Sequence, residues 1–478
     1  MAATSTLQRY EGIAAHGWIA AALGMLALAL GCGYALALGE VAGLYVGLSL
    51  VCAVAVLIDF RVGAVALLLM LPTSASALFP HGLMQITGLN PLNLLILATL
   101  GSYVVHGRLQ RAAGSVAPAP LVWLYALPIL IAGLVGMQHV QEIPSFFYES
   151  GSVLFFNERQ YLILQVARPL LIVVVAVMIG AAAARSERPE RFIVAIAASA
   201  CLIALIQIGF VVSQGVSLAA MATTEARDFY DPLGMHANNL GRVHLFSFAL
   251  LLFAWPEIRH PRMRLFVFVT LGLVGLALVL SFSRACIGAA VLVGALFLAW
   301  KFNAKTLSLA LLGVVIVGLF GAEALYSRMT MGLDEGANAV SAGRIDGIWL
   351  PLLPEIWKSP IWGNGLSSIL WSFPMVSESM MRVGHPHNAY LEALLDMGVV
   401  GLALLLAYYV HVSRGFWALA KDASLSPELR GVFQGATAAL AAFLVTGMVG
   451  SSLRPEAEAA FLWVAIGLMY GVRGRRSK

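Results

Sequence analysis

Charge is scarce in this chain. Asp, Glu, Lys and Arg make up 11% of its 478 residues, against about 25% in soluble domains. That excludes a freely soluble globular fold. Cysteine is scarce as well: Cys32, Cys52, Cys201 and Cys286 are scattered through apolar stretches, with no CxxC pair and no histidine at ligand spacing. A disulfide framework and a zinc site are therefore not expected. No GxxxxGK[ST] or GxGxxG sequence occurs, so nucleotide hydrolysis has no support. The net charge of +5 is spread over short loops, and no nucleic-acid partner is expected.

Apolar runs are what the chain has in abundance. Hydrophobic residues reach 60% and the mean hydropathy is +0.88. A spanning helix needs about 20 mostly apolar residues. Candidate runs lie near 13–37, 41–58, 62–79, 91–106, 120–137, 161–184, 192–213, 241–255, 265–281, 285–300, 306–321, 388–411, 431–450 and 457–472. Several are short, so the expected fold is an all-α polytopic integral membrane protein with about 12–14 transmembrane helices. The first run lacks a clear cleavage site and reads as an uncleaved span.

Basic residues alternate between loops. Arg61, Arg108 and Arg111, the Arg185–Arg191 cluster, the Arg259–Arg264 cluster, Lys301 and Lys305, Arg414 to Arg430 and the Arg473–Lys478 tail all fall on one side. The positive-inside rule makes that side, with both termini, cytoplasmic. The opposite loops carry acids such as Glu142, Glu149, Asp334 and Glu335. The chain reads as one integrated domain in three stretches: an N-terminal bundle over 1–321, a long outer or periplasmic loop over 322–387, and C-terminal helices over 388–478. Within the loop, Ile345, Ile348, Trp349, Leu352 and Ile356 recur at helical spacing and predict an interfacial helix, made irregular by Pro351 and Pro354.

Charges near the hydrocarbon are costly and usually functional. On the outer side these are Arg159 and Arg168 in the 161–184 region, Arg242 after Asn238-Asn239, Arg284 in a very short turn, and Arg344 opening the interfacial helix. Arginine offers a permanent charge and a planar fork that matches phosphate oxygens. Structural caps, headgroup contacts, a Glu158 partner for Arg168 and an Asp346 partner for Arg344 remain alternatives. Gly384-His-Pro-His-Asn388 precedes an apolar run, and the HxH pair alone is a weak metal signal. Glu392 and Asp396 run into the membrane and require a buried arginine or a wet cavity.

His387-Asn388, nine residues, then Gly398-Val-Val-Gly401 resembles the HN-x9-GxxG signature of bacterial O-antigen ligases, within the O-antigen ligase/polymerase superfamily. Ser281-Phe-Ser-Arg284, Ser341-Ala-Gly-Arg344 through Trp349, Pro360 to Gly365, and Asn238-Asn239-Leu240 resemble further motifs of that superfamily. The specific motifs lie in the C-terminal half. The resemblance implies a membrane glycosyltransferase of the all-helical class, metal-independent and inverting, without cofactor. Its donor would be O-antigen on undecaprenyl pyrophosphate. Its acceptor would be a sugar hydroxyl of lipid A–core, at the periplasmic face of the bacterial inner membrane, and its product lipopolysaccharide. On that reading His387 accepts or orients the acceptor proton. Arg284 and Arg344 stabilise the pyrophosphate leaving group. Arg242, Arg159, Arg168, His385, Asn388 and Tyr390 bind substrate. The GxxG glycines are expected to allow close helix packing. Competing readings are an O-antigen polymerase (Arg382 to Gly398 meets its Arg-x15-Gly spacing once), a protein O-oligosaccharyltransferase and a lipid transporter.

Overall fold

A computed structural model describes residues 51–77, 79, 82–83, 86–87, 90–109, 118–149, 153–223, 225–304, 306–308, 323–377, 383–450 and 452–476. The expected span at 13–37, much of the one at 41–58 and most of the one at 306–321 lie outside the described residues. The chain forms two compact units. The first comprises residues 1–67 and 78–113. Its described part holds most of α1 (Phe60–Met70), a small hairpin of β1 (Gly82–Leu83) and β2 (Ile86–Thr87), and α2 (Pro91–Leu109). Phe60 packs edge-on against Tyr103 at 5.2 Å.

The second unit comprises residues 68–77 and 114–478. Its long helices are α3 (Ala119–Glu142), α4 (Glu158–Ala184), α5 (Pro189–Gln214), α6 (Ala237–Ala254), α7 (Pro261–Leu280), α8 (Arg284–Lys301), α9 (Ala389–Ala420), α10 (Pro427–Gly447) and α11 (Ala460–Arg476). Of these, α3, α4, α5, α7, α8, α9 and α10 are long and apolar enough to cross a bilayer. Their outward faces carry bare aliphatic side chains, such as Ile131, Leu205, Val269 and Val291. Exposed apolar side chains in such numbers fit a lipid solvent and not water. The all-α polytopic membrane fold is therefore observed.

α6 is the hub. It is buried almost throughout, packing on α5, α7, α8 and α10. Small residues set the closest contacts. Gly431 and Gly435 of α10 lie on the Phe253 and Ala249 carbonyls of α6, and Gly467 and Gly471 of α11 lie on Ala176 and Gly180 of α4. Without a hydrophobic drive between helices in lipid, such close backbone approach supplies the packing energy.

Three wide helical turns share one cause. Val122–Ala126, Ile163–Ala167 and Ile345–Trp349 are π-helical. Each precedes a proline (Pro128, Pro169, Pro351) whose ring would strike the carbonyl four residues back, at Leu124, Gln165 or Gly347. Widening the turn relieves that clash and frees the carbonyl. The loop helix predicted from the Ile345–Ile356 periodicity is present as this π turn followed by Leu350–Ile356.

The run expected over 388–411 is one continuous helix in the hydropathy pattern. In the fold it breaks at Gly398, with φ 64° and ψ −171°. The break is filled by the loop segment Pro360–Gly365. Val399 and Val400 donate to the Pro360 and Ile361 carbonyls at 2.9 and 3.2 Å, while Asn364 and Gly365 donate to Leu395 and Asp396 at 2.8 and 3.0 Å. The freed backbone groups are thus satisfied by protein, as a bilayer interior demands. Gly398 therefore does more than ease helix packing: it permits the break.

Candidate active site

The site lies where the 323–387 segment meets the ends of α6, α8, α9 and α10. Two cavities open there, of about 320 and 520 Å³. His236, Asn238, Arg242 and Gly450 line both and so form their common wall.

That wall begins at the α6 N-terminus. His236 caps the helix, its Nδ1 accepting from the Asn238 amide at 3.2 Å. Asn238 and Arg242, one turn apart, share a face. Asn238 Oδ1 accepts from Ser283 Oγ at 2.7 Å, tying α6 to the turn before α8. Arg242 is 4% exposed. It pairs with Glu458 at 3.3 Å and donates to the Thr446 carbonyl at 3.3 Å. Gly450 lies flush against its guanidinium, with no room for a side chain.

The smaller cavity gathers arginines. The described residues lining it include Arg242, Arg284, Arg328 and Arg344 and no carboxylate. Arg284 is the first residue of α8. A cation there opposes the helix dipole, so helix stability does not account for it. Phe282, at φ 45°, turns the chain sharply into this position. Arg284 donates to the carbonyls of Met331 and Val340 at 2.9 and 3.1 Å. Arg328 donates to the Phe282 carbonyl at 3.3 Å. Arg344 follows two left-handed residues, Ala342 and Gly343, and donates to Val449 O at 2.8 Å. Four segments thus bring guanidinium groups to one chamber, the disposition that phosphate oxygens require.

The larger cavity gathers histidines and carboxyls: His236, His385, His387, Glu392, Glu456 and Glu458, with Arg242 and Arg454. His387 stands at φ 55°, a conformation costing a non-glycine residue about 1–3 kcal/mol. Its amide donates to His385 Nδ1 at 3.4 Å, and the two rings lie 4.0 Å apart. His385 titrates below its ordinary range. Desolvation is the main cause, opposed by Glu392 and reinforced by Arg344 and Arg242. Burial, and then the neighbouring Glu458 carboxyl, push Glu456 well above the usual carboxylate range. Among the described residues, no group of three or more His, Cys, Asp or Glu side chains is arranged to hold a metal.

Glu392 and Asp396 meet different fates. Glu392 receives Arg454 Nη2 at 2.9 Å. The same arginine reaches Gln165 Oε1 at 3.0 Å and Ser452 Oγ at 3.0 Å. It also approaches the Gln165 carbonyl, the one freed by Pro169, at 3.5 Å. Asp396 lines neither of the two cavities. It accepts from the Ser367 and Ser368 amides at 2.9 and 3.0 Å and from Ser368 Oγ at 2.9 Å, pinning the loop into the α9 break.

Of the residues nominated from sequence, Arg242, Arg284, Arg344, His385 and His387 come together at these two chambers. Asn388 Oδ1 caps α9, accepting from the Tyr390 and Leu391 amides at 3.0 and 3.1 Å. The Tyr390 hydroxyl is committed to the Leu444 carbonyl at 2.7 Å. Arg159 and Arg168 are exposed and line neither cavity. Sequence reasoning missed His236, Arg328, Arg454, Glu456 and Glu458. The demand of Glu392 for a buried partner was the one signal that pointed to Arg454.

Residues 265–406 match a family model described as O-antigen ligase. The match runs from α7 through the turn before Arg284, the loop and His387 into α9, past the Gly398 break. No curated protein matches the chain.

Proposed function

From the match of residues 265–406 to a family model described as O-antigen ligase, we propose that the chain belongs to the O-antigen ligase/polymerase superfamily and is an O-antigen ligase. It moves a polysaccharide from undecaprenyl pyrophosphate to a sugar hydroxyl of lipid A–core at the periplasmic face of the inner membrane. The observation that carries the reading is the shared wall. An arginine chamber and a histidine chamber meet at Arg242 and Asn238, so a phosphate held in one has its sugar beside the other.

The chemistry follows from those groups. The pyrophosphate lies among Arg242, Arg284, Arg328 and Arg344, with the anomeric carbon of the sugar it carries at the wall. The acceptor hydroxyl enters beside His387. As its oxygen attacks the anomeric carbon, a new C–O bond forms, the bond to the pyrophosphate oxygen breaks and the configuration inverts. The hydroxyl proton passes to a neutral ring nitrogen of His387. Negative charge grows on the leaving oxygen, where fixed guanidiniums bind it more tightly than they bind the ground state. His385 crowds His387 and shares its loop, a supporting role.

The test is glycan transfer by purified protein in liposomes containing lipid-linked polysaccharide and lipid A–core. His387→Ala should lower kcat by about 10²–10⁴-fold, the usual contribution of a general base. Unchanged transfer by that variant rejects the base assignment. In cells lacking the protein, bare core with accumulated lipid-linked polymer is expected. Core bearing single repeat units would identify a polymerase instead.

A further inference from the structure

The two chambers differ in charge balance, and the difference selects the acceptor. In the larger one, both lining arginines are already neutralised by carboxylates: Arg242 by Glu458 and Arg454 by Glu392. All four side chains of these pairs are nearly buried, at 5%, 9%, 11% and 8% exposure. Glu456 adds a third carboxyl on the same wall. An anion entering this chamber finds both guanidiniums already held by carboxylates. A neutral sugar finds the opposite: carboxylate and imidazole acceptors for its hydroxyls, in a volume of about 520 Å³ that lies within the usual range for small-ligand sites.

We infer that the Glu392–Glu456–Glu458 chamber is the subsite for an uncharged, hydroxyl-rich acceptor sugar, and that it discriminates against acceptors phosphorylated at or next to the receiving sugar. This rests on the transfer reaction proposed above and adds the chemical class of the acceptor. The Glu456 carboxyl, raised well above the usual carboxylate range by burial, can donate to a sugar oxygen, while the paired carboxylates of Glu392 and Glu458 accept from hydroxyls. The chamber lined by arginines and no carboxylate lies on the far side of the Arg242 wall, where the donor is held. Charge thus sorts the two substrates into two rooms.

The experiment uses full-length protein in liposomes, one lipid-linked donor, and two lipid A–core acceptors that differ only in a phosphate beside the receiving sugar. Wild type should favour the neutral acceptor by at least about tenfold in kcat/KM, the equivalent of about 1.4 kcal/mol. Glu392→Gln leaves the Arg454 charge exposed to the chamber. It should raise the phosphorylated-to-neutral ratio about tenfold while the donor KM stays within about twofold. Should that variant fail to fold, Glu456→Gln, which breaks no ion pair, should raise the neutral acceptor's KM and leave the donor's KM unchanged. Equal use of both acceptors by wild type overturns the inference. So does a variant that shifts donor KM without shifting acceptor preference. Both of those outcomes leave the ligase reading standing. Absence of transfer to either acceptor by wild type overturns the ligase reading itself, and this inference with it.

Discussion

The indole Nε1 of Trp349 donates to the carbonyl of Pro386 at 2.8 Å. Trp349 belongs to the loop helix and lines the arginine chamber. Pro386 sits between His385 and His387 and lines the other chamber. One hydrogen bond therefore couples the orientation of the histidine segment to the helix that starts with Arg344. Trp349→Phe keeps the ring and removes the donor, at a cost of about 0.5–1.5 kcal/mol. We expect transfer to fall about three- to tenfold, the equivalent of that cost in rate, with little change in thermal stability. Unchanged kcat in the liposome assay would mean that the strained φ of His387 is held by other contacts.

Arg454→Met should destabilise the protein strongly. It leaves Glu392 buried without its cation and strips a donor from Gln165 and Ser452. Breaking one side of a buried pair costs about 3–5 kcal/mol. The double variant Glu392→Gln/Arg454→Met should recover part of that loss, because no lone charge remains. Thermal unfolding in detergent measures both, and a double variant no better than the single one would show that the neutral contacts dominate.

Gly398→Ala and Gly401→Ala should part company. A Cβ at Gly398 strikes the Ile361 carbonyl and must also hold a left-handed φ of 64°, and backbone does not yield. A Cβ at Gly401 strikes the Met397 Cβ, the root of that side chain, but no left-handed φ adds to the clash. The first variant should lose several kcal/mol and much of its folded yield. The second should lose less than the first, because its clash carries no backbone strain. Size-exclusion yield and melting temperature tell them apart.

Glu456 gives a pH signature. Its folded pKa lies above the unfolded value of 4.5, so between those limits the folded state binds more protons than the unfolded one. Stability then falls as pH rises from 4.5 toward the folded pKa. His385 works in the reverse sense. Its pKa is depressed below 6.5, the unfolded state binds the extra proton, and stability falls as pH drops below 6.5. Glu456→Gln should therefore gain stability over wild type at pH 7 and lose that gain near pH 4.5. A constant difference across a pH series of melts would contradict the assignment.

Arg159→Ala and Arg168→Ala should transfer within about twofold of wild type, as exposed surface substitutions usually do, because neither side chain reaches the chambers. Arg284→Ala in the same assay should lose about 10²-fold or more, the scale for removing a group that stabilises transition-state charge. A large loss from Arg168→Ala alone would place donor lipid along α4.

Much of this was legible in the chain itself. Charge in a mostly apolar sequence has few places to go, so Arg242, Arg284, Arg344 and His387 stood out and meet in space. Residues whose meaning depends on distant partners did not. Arg454 lies in a short connection, and only the fold brings Glu392 and Gln165 to it. Arg328 was one basic residue in a long loop. Asn388 and Tyr390 sat beside the motif histidine, yet the backbone of α9 and α10 claims both. The break at Gly398 has no local cause beyond the glycine: it is imposed by Pro360–Gly365, which hydropathy assigns to water.

That inserted segment carries a consequence for biogenesis. Residues 360–365 cannot take their place until α9, which follows them in the chain, has entered the bilayer, because their hydrogen-bond partners are the open backbone groups around Gly398. The same insertion draws the arginine-bearing loop and the histidines together. The newly made chain thus completes the two chambers only once α9 has formed.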